Sequence, residues 1–239
     1  MALHFLTEEA SAAVGEDLVL SGAEAHHAIV RRVREGEGVT VGDGAGTWLA
    51  GTVAVVKPKE VVVRVTSVAF QPSPRPRLVL AQALAKGDRD ELAVQAATEI
   101  GVDEILPWQA ARSVSRWSDD KAAKGVARWQ AIAREASKQA HRAWVPSIAT
   151  PKSTAEIAAR PGMLLVLEPA ASARLSQVEL PTEGDIVVIV GPEGGVASEE
   201  LAELERAGAS CVRLGDTVLR TSTAGPAALA LTSARLGRW

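Results

Sequence analysis

The sequence predicts an α/β domain with a mostly parallel sheet, preceded by a smaller, mostly β unit. Three features predict it. Met163–Leu167 and residues 186–190 are uninterrupted apolar runs of strand length, the pattern expected where both faces of a parallel sheet are covered. Helical periods alternate with such runs after about residue 78. Before residue 72, β-branched segments are separated by strong turn signals.

In chain order, residues 39–41, 48–56 and 61–70 read as strands, parted by Gly42-Asp43-Gly44-Ala45-Gly46 and Lys57-Pro58-Lys59. One short helix precedes them. Ser21 and Glu24 have the spacing of a capping box, Ile29 and Val33 share a helical face, and the exit carries Arg31, Arg32 and Arg34. Pro72, Pro74 and Pro76 then force an extended segment and mark a domain boundary, giving domains 1–72 and 73–239. Beyond it, residues 78–84 read as a strand, 90–100 as a helix ending at Gly101, and 104–106 as a strand stopped by Pro107. A long helix follows with Val126, Trp129, Ala133, Ala136 and Ala140 at helical spacing. After the two apolar runs, residues 198–207 form a helix with Ser198 as N-cap and Gly208 past its end. Residues 211–214 are the next strand, and a final helix spans about 226–236.

The chain has 239 residues, 47% hydrophobic and 23% charged, a composition that excludes disorder. No apolar run approaches the roughly 18 residues of a membrane span. The first ten residues lack a cationic n-region and reach Glu8 and Glu9 at once, unlike a signal peptide, so a cytoplasmic protein without membrane contact is expected. Cys211 is the only cysteine, which excludes a disulfide framework and a cysteine zinc site. His4, His26, His27 and His141 show no metal-ligand spacing, so no metal is expected.

Charge is uneven. Residues 112–142 carry 8 Lys+Arg against 3 Asp+Glu in a chain of net charge −3, with Trp117 and Trp129 among them and Trp144 just beyond. Such a mixture suits phosphate and base contacts, and it equally suits a solvated helix face over core tryptophans.

In open parallel sheets ligands sit beyond the carboxyl ends of the strands. Three loops there stand out: Leu167-Glu168-Pro169, Gly191-Pro192-Glu193-Gly194-Gly195, and Leu214-Gly215-Asp216-Thr217-Val218-Leu219-Arg220. Glycine lets a ligand approach backbone N–H and C=O groups closely, and it also makes a plain strand-to-helix turn. The second loop lacks both the P-loop ending and the dinucleotide spacing, which favours a nucleoside-bearing ligand without a triphosphate.

Gly191-Pro192-Glu193-Gly194-Gly195, followed some twenty residues later by Leu214-Gly215 and Val218-Leu219-Arg220-Thr221, resembles the cofactor signature of the SPOUT methyltransferases, in particular the ribosomal RNA small subunit methyltransferase E family. The likeness extends through Gln82, Lys86 to Arg89, Glu99-Ile100-Gly101-Val102 and Trp129 with Ala133 and Ala136. Upstream, His26, Val30, Arg31 and Gly42-Asp43-Gly44 resemble the family's PUA-like amino-terminal β-barrel. The resemblance implies an S-adenosylmethionine-dependent enzyme that methylates N3 of one uridine in 16S rRNA, with a carboxyl-terminal trefoil knot and a homodimeric assembly. It implies cofactor binding by Leu167, Glu168, Gly191, Pro192, Glu193, Gly194, Gly195, Leu214, Gly215, Val218 and Leu219. RNA phosphates fall to Arg31, Arg32, Arg34, Lys86, Arg89, Arg112 and Arg116.

Loss of the uridine N3 proton leaves charge on O2 and O4, which a nearby cation stabilises. Arg220 is the candidate, with Ser222 beside it as a hydrogen-bond donor or helix cap. Relatives commonly carry an acid where this chain has Ser222. That departure keeps open a second reading, a non-catalytic RNA-binding assembly factor of the small ribosomal subunit; the intact cofactor loops oppose it. An unrelated nucleotide-dependent enzyme is opposed by the missing fingerprints.

Overall fold

The computed structural model describes residues 2–8 and 10–239. Its internal contacts divide the chain into two units, Met1–Ser73 with Ser137–Val145, and Pro74–Ala136 with Pro146–Trp239. The break between residues 73 and 74 falls within the proline-rich segment. Sequence reading places Ser137–Val145 in the second domain, whereas this segment packs with the first unit. Backbone pairing is the reason: Gly46 N–H donates to Ala143 O (3.0 Å) and Val145 N–H to Gly44 O (2.9 Å).

The first unit is a five-stranded sheet with one helix, α1 (Gly22–Val30). Its strands are β1 (Leu3–Leu6), β2 (Asp17–Ser21), β3 (Gly38–Gly42), β4 (Thr47–Lys57) and β5 (Glu60–Phe70), in the spatial order β1-β3-β4-β5-β2. The short β1 and β2, parallel to β3 and antiparallel to β5, lie outside the three strands legible in the sequence. Register shifts between Ala50 and Gly51 and between Val53 and Val55 bend β4 around a core of Phe5, Leu20, Leu49 and Val61. Gly51 is required there, because a Cβ would meet Arg64 O at 2.6 Å. Two expectations for α1 fail. Ser21 is the N-cap but its hydroxyl makes no capping bond, and Val33 lies beyond the helix end, so the buried face is Ala25 and Ala28. Asp43 fixes the glycine-rich turn by accepting from Ala45 N–H (2.7 Å) and Thr47 N–H (3.0 Å).

The second unit is a six-stranded sheet of β6 (Arg77–Ala83), β7 (Glu104–Trp108), β8 (Ser147–Ile148), β9 (Met163–Leu167), β10 (Asp185–Val190) and β11 (Ser210–Val212). The order is β11-β9-β10-β6-β7-β8 and every pairing is parallel. Helices α2 (Arg89–Ile100), α3 (Asp120–Gln139), α4 (Thr154–Ala158), α5 (Ser198–Arg206) and α6 (Thr221–Arg235) accompany it. Separate apolar cores carry alternate residues of the strands, Leu78, Leu80, Ile186 and Val188 in one and Val79, Ala81, Val187 and Ile189 in the other. Both faces are therefore covered, which is why β9 and β10 read as continuous apolar runs. At the amino ends of the strands, Glu104 and Asp185 accept from Arg160 (2.8 and 3.2 Å), and Arg77 donates to Glu104 (3.2 Å). This network closes the end of the sheet away from the loops.

Three boundaries differ from expectation. Pro107 does not stop β7 but sits within it, its carbonyl accepting from Lys152 N–H (2.8 Å). The N-cap of α5 is Ala197, not Ser198. Helix α6 begins at Thr221 and carries Pro226 inside it. Among the described residues no helix is long and apolar enough to cross a membrane, and no group of three or more His, Cys, Asp or Glu is placed to hold a metal.

In the first unit His4 is 4% exposed, stacked on Trp48 at 4.4 Å and 2.9 Å from the Thr40 hydroxyl. Burial, helped by the neighbouring His141, pushes its pKa down from 6.5 to about 4. The unfolded chain thus binds the proton first, so stability is complete above pH 6.5 and is lost as pH falls toward 4. The expected loss is on the order of 3 kcal/mol. Thermal unfolding between pH 7 and 4 should show this slope in the wild type and a flatter one in His4→Gln; equal slopes contradict the assignment.

Candidate active site

The parallel sheet delivers three loops to one place. β11, β9 and β10 are neighbours in that order, with Val212 paired to Leu167 and Ile189 to Val166, so their carboxyl ends are level. The loops that follow surround a cavity of about 360 Å³. Leu167, Glu168, Gly191, Pro192, Glu193, Gly195, Leu214, Gly215, Val218 and Leu219 line it, as the sequence leads one to expect, together with Arg220. Arg89 also reaches it, and Thr221 and Ala224 complete it from the first turn of α6.

The shape of the central loop follows from its glycines. A Cβ on Gly191 would meet Val196 Cγ2 at 2.8 Å, so only glycine lets the loop fold back on itself there. Gly195 has φ +72°, in the left-handed region. Gly215 differs from both: it has open space around its Cβ position and no positive φ.

A buried hydroxyl ties the loop to the rest of the sheet. Thr221 Oγ1 donates to Gly191 O (2.9 Å) and accepts from Gln82 Nε2 (2.9 Å), which also donates to Ala83 O (3.1 Å). Gln82 is fully buried near the carboxyl end of β6. Gly225 continues this fit, since a Cβ there would stand 3.0 Å from Leu80 Cδ1. Ala224 is absent from the sequence-derived site, and Thr221 entered it only as the last residue of the signature, with no role assigned.

The charged residues divide into committed and free. Glu193 accepts from Arg89 Nη1 (2.8 Å) and from the backbone N–H of Lys86 (3.2 Å), which brings the Arg89 cation and the Lys86 backbone to the central loop. Partial burial opposes its ionisation, but hydrogen bonds from its own and the Lys86 backbone and from Arg89 hold its pKa below the usual carboxylate range. Glu193 is therefore a fixed anion and a poor proton acceptor. Asp216 sits 3.3 Å from Arg174 and 3.5 Å from Arg213, which fastens the third loop. Arg220 is exposed; its carbonyl accepts from Thr223 N–H (2.8 Å) and Ala224 N–H (2.9 Å), while its guanidinium makes no hydrogen bond or ion pair among the described residues.

Other expected residues fall elsewhere. Gly194 does not line the cavity; its carbonyl accepts from Arg112 Nη1 (3.1 Å). Ser222 is half-buried in the first turn of α6, outside the lining. Arg116 donates to Ala111 O (2.9 Å). Arg31, Arg32 and Arg34 are exposed in the first unit, with Arg32 at φ +58°. The basic segment is not one free stripe: Arg128 is bidentate to Glu91 (2.5 and 2.7 Å), and Lys138, 4% exposed, donates to Glu24 (3.1 Å).

The arrangement has apolar walls for a flat ring, accessible backbone at glycines, a fixed anion in Glu193 and, among the described residues, an uncommitted guanidinium at its edge in Arg220. A model of the RNA methyltransferase domain matches residues 71–233, and one of the RNA methyltransferase PUA domain matches residues 20–66. Ribosomal RNA small subunit methyltransferase E of Mycobacterium tuberculosis is 40% identical over 233 residues, covering 94% of this chain and 89% of the relative. The protein of the same name from Bacillus subtilis is 31% identical, covering 86% and 85%. Among solved structures, ribosomal RNA small subunit methyltransferase E from Neisseria gonorrhoeae bound to S-adenosyl methionine superposes with a TM-score of 0.88 at 29% identity, covering 98% of each chain. A putative methyltransferase from Legionella pneumophila in complex with the same cofactor gives 0.84 at 30%, covering 98% and 97%. With both domain models matched and a relative 40% identical over 94% of its length, this chain belongs to the ribosomal RNA small subunit methyltransferase E family.

Proposed function

We propose that this protein transfers a methyl group from S-adenosylmethionine to N3 of a uridine in 16S rRNA, acting as a cytoplasmic homodimer on the small ribosomal subunit or its RNA. The observation that carries the reading is the single cavity formed by three post-strand loops with an uncommitted Arg220 at its edge. The relatives' names and the cofactor in two similar structures support it. We include the trefoil knot of the family in this proposal, and the exposed apolar Leu92 and Val218 as surfaces a second copy would cover.

The residues present fit the cofactor. Leu167, Leu214, Leu219 and Ala224 supply apolar walls for the adenosine, the backbone at Gly191 and Gly215 is open to it, and Glu168 and Glu193 place anions in a site that must accept a sulfonium. The cofactor supplies an electrophilic methyl group for an in-line displacement that depends on positioning. The chain's residues do the rest. The Arg220 guanidinium offers two parallel donors to the oxygen that gains charge as uridine N3 loses its proton. No carboxylate occupies residues 220–224, and in this reading the N3 proton leaves to solvent. Arg31, Arg32 and Arg34, with Lys86, hold RNA phosphates.

Gly215→Val adds methyl groups beside the cavity without a clash in the protein. Calorimetry should show a folded variant whose S-adenosylmethionine Kd rises at least about tenfold; unchanged affinity contradicts the placement.

Arg220→Ala should lower single-turnover kcat by about 100-fold with little change in cofactor Kd, and Arg220→Lys should fall between. Below the nucleobase pKa the wild-type rate should rise about tenfold per pH unit, and Ser222→Glu should flatten that profile and raise the neutral-pH rate. Unaltered rates in Arg220→Ala and Ser222→Glu would remove this loop from the chemistry.

Reversing Arg31 and Arg32 to Glu should weaken RNA binding and reduce its salt dependence while cofactor Kd stays constant. An equal fall in cofactor affinity would mean that these residues support the fold instead.

A further inference from the structure

Glu200, in the first turn of α5, is 8% exposed and makes no ion pair among the described residues. A buried carboxylate without a cation is tolerated only when its oxygens are well hydrogen-bonded. Glu200 meets that condition with groups from three separate segments. Oε1 accepts from Ala111 N–H (2.9 Å), in the loop after β7, and from the Thr154 hydroxyl (2.8 Å), at the start of α4. Oε2 accepts from Ala197 N–H (3.3 Å), where the central glycine loop ends. Thr154 is held in turn by Trp108 Nε1 (3.1 Å), itself fully buried. The Ala197 bond is the ordinary back-bond from the third helical residue to the N-cap, but the Ala111 and Thr154 bonds reach outside the helix and are not needed to cap it.

The residue after Ala111 reaches the same loop from the other side. Arg112 Nη1 donates to Gly194 O (3.1 Å) and Val196 O (3.5 Å), and a Cβ on Gly194 would lie only 3.3 Å from Arg112 Cβ. Neighbouring residues of one loop therefore grip residues 194–197 through two independent sets of bonds, one buried and one at the surface. Gly195 and Val196, between the grips, line the cavity.

We propose that Glu200 and Arg112 are positioning residues for the central glycine loop, and that Arg112 serves the cofactor site and does not contact RNA phosphate. This rests on the reading that the cavity holds S-adenosylmethionine. Glu200→Ala leaves two buried donors and one part-buried donor unpaired and threatens the fold, so Arg112→Ala, at the exposed rim, carries the test, with Glu200→Gln as its buried counterpart.

The measurement is hydrogen exchange of residues 191–197 in the full chain, together with S-adenosylmethionine Kd, the KM and kcat for the cofactor, and the salt dependence of RNA binding. In Arg112→Ala exchange at residues 194–197 should quicken, cofactor Kd and KM should rise about fivefold or more, and kcat should stay within about twofold. The salt slope should not change. Glu200→Gln keeps one acceptor oxygen and should move the same quantities in the same direction. Unaltered exchange at 194–197 in Arg112→Ala overturns the proposal. So does a salt slope shallower by about 0.7–0.9 with cofactor affinity intact, the signature of a lost phosphate contact. Should the wild type fail to bind S-adenosylmethionine, the reading of the cavity falls, while the exchange rates still decide whether these residues hold the loop.

Discussion

A hydroxyl shared by three distant segments underlies the site. Thr221 Oγ1 bonds Gly191 O on one side and Gln82 Nε2 on the other, joining strands and helix that are 30 and 139 residues apart in the chain. Each partner is buried or part-buried, so an unmade bond would cost roughly 1–3 kcal/mol for the group left alone. The bond fixes the first turn of α6 against the end of β10, and with it the position of Arg220, the residue immediately before the helix. The cavity, its third loop and the cation at its edge all take their places from that junction.

Around it the charges are sorted by commitment. Glu193 is bound by Arg89 and a backbone N–H, Asp216 by Arg174 and Arg213, and Arg112 by two carbonyls. Among the described residues lining the cavity, Arg220 is the cation whose side chain has no ion pair or hydrogen bond. A group that must meet charge developing on a substrate is most effective when nothing in the protein already neutralises it.

Legibility in the sequence followed burial. β9 matches the expected run residue for residue and β10 adds only Asp185 to its own, because strands covered on both faces have no polar interruptions to confuse them. The three post-strand loops were legible from their place directly after apolar runs, since ligands of an open parallel sheet sit beyond the carboxyl ends of its strands. The start of α6 was not. Gly225 and Pro226 interrupt a helical pattern, yet Gly225 is there because Leu80 leaves no room for a Cβ, a tertiary reason that no local pattern carries. The same holds for β1 and β2, which are short strands defined by their neighbours, and for Arg112, whose charge pointed to phosphate while its hydrogen bonds point to the glycine loop. Segment Ser137–Val145 illustrates the limit: its packing with the first unit depends on backbone bonds to Gly44 and Gly46 that sequence separation conceals.

The most direct test is to incubate the purified protein with small ribosomal subunits that lack the modification and methyl-labelled S-adenosylmethionine, then map the label in 16S rRNA by mass spectrometry. The account predicts label at a single nucleoside, as N3-methyluridine. Label on a ribose, on another base or at another ring atom, or no label with active cofactor binding, would contradict it.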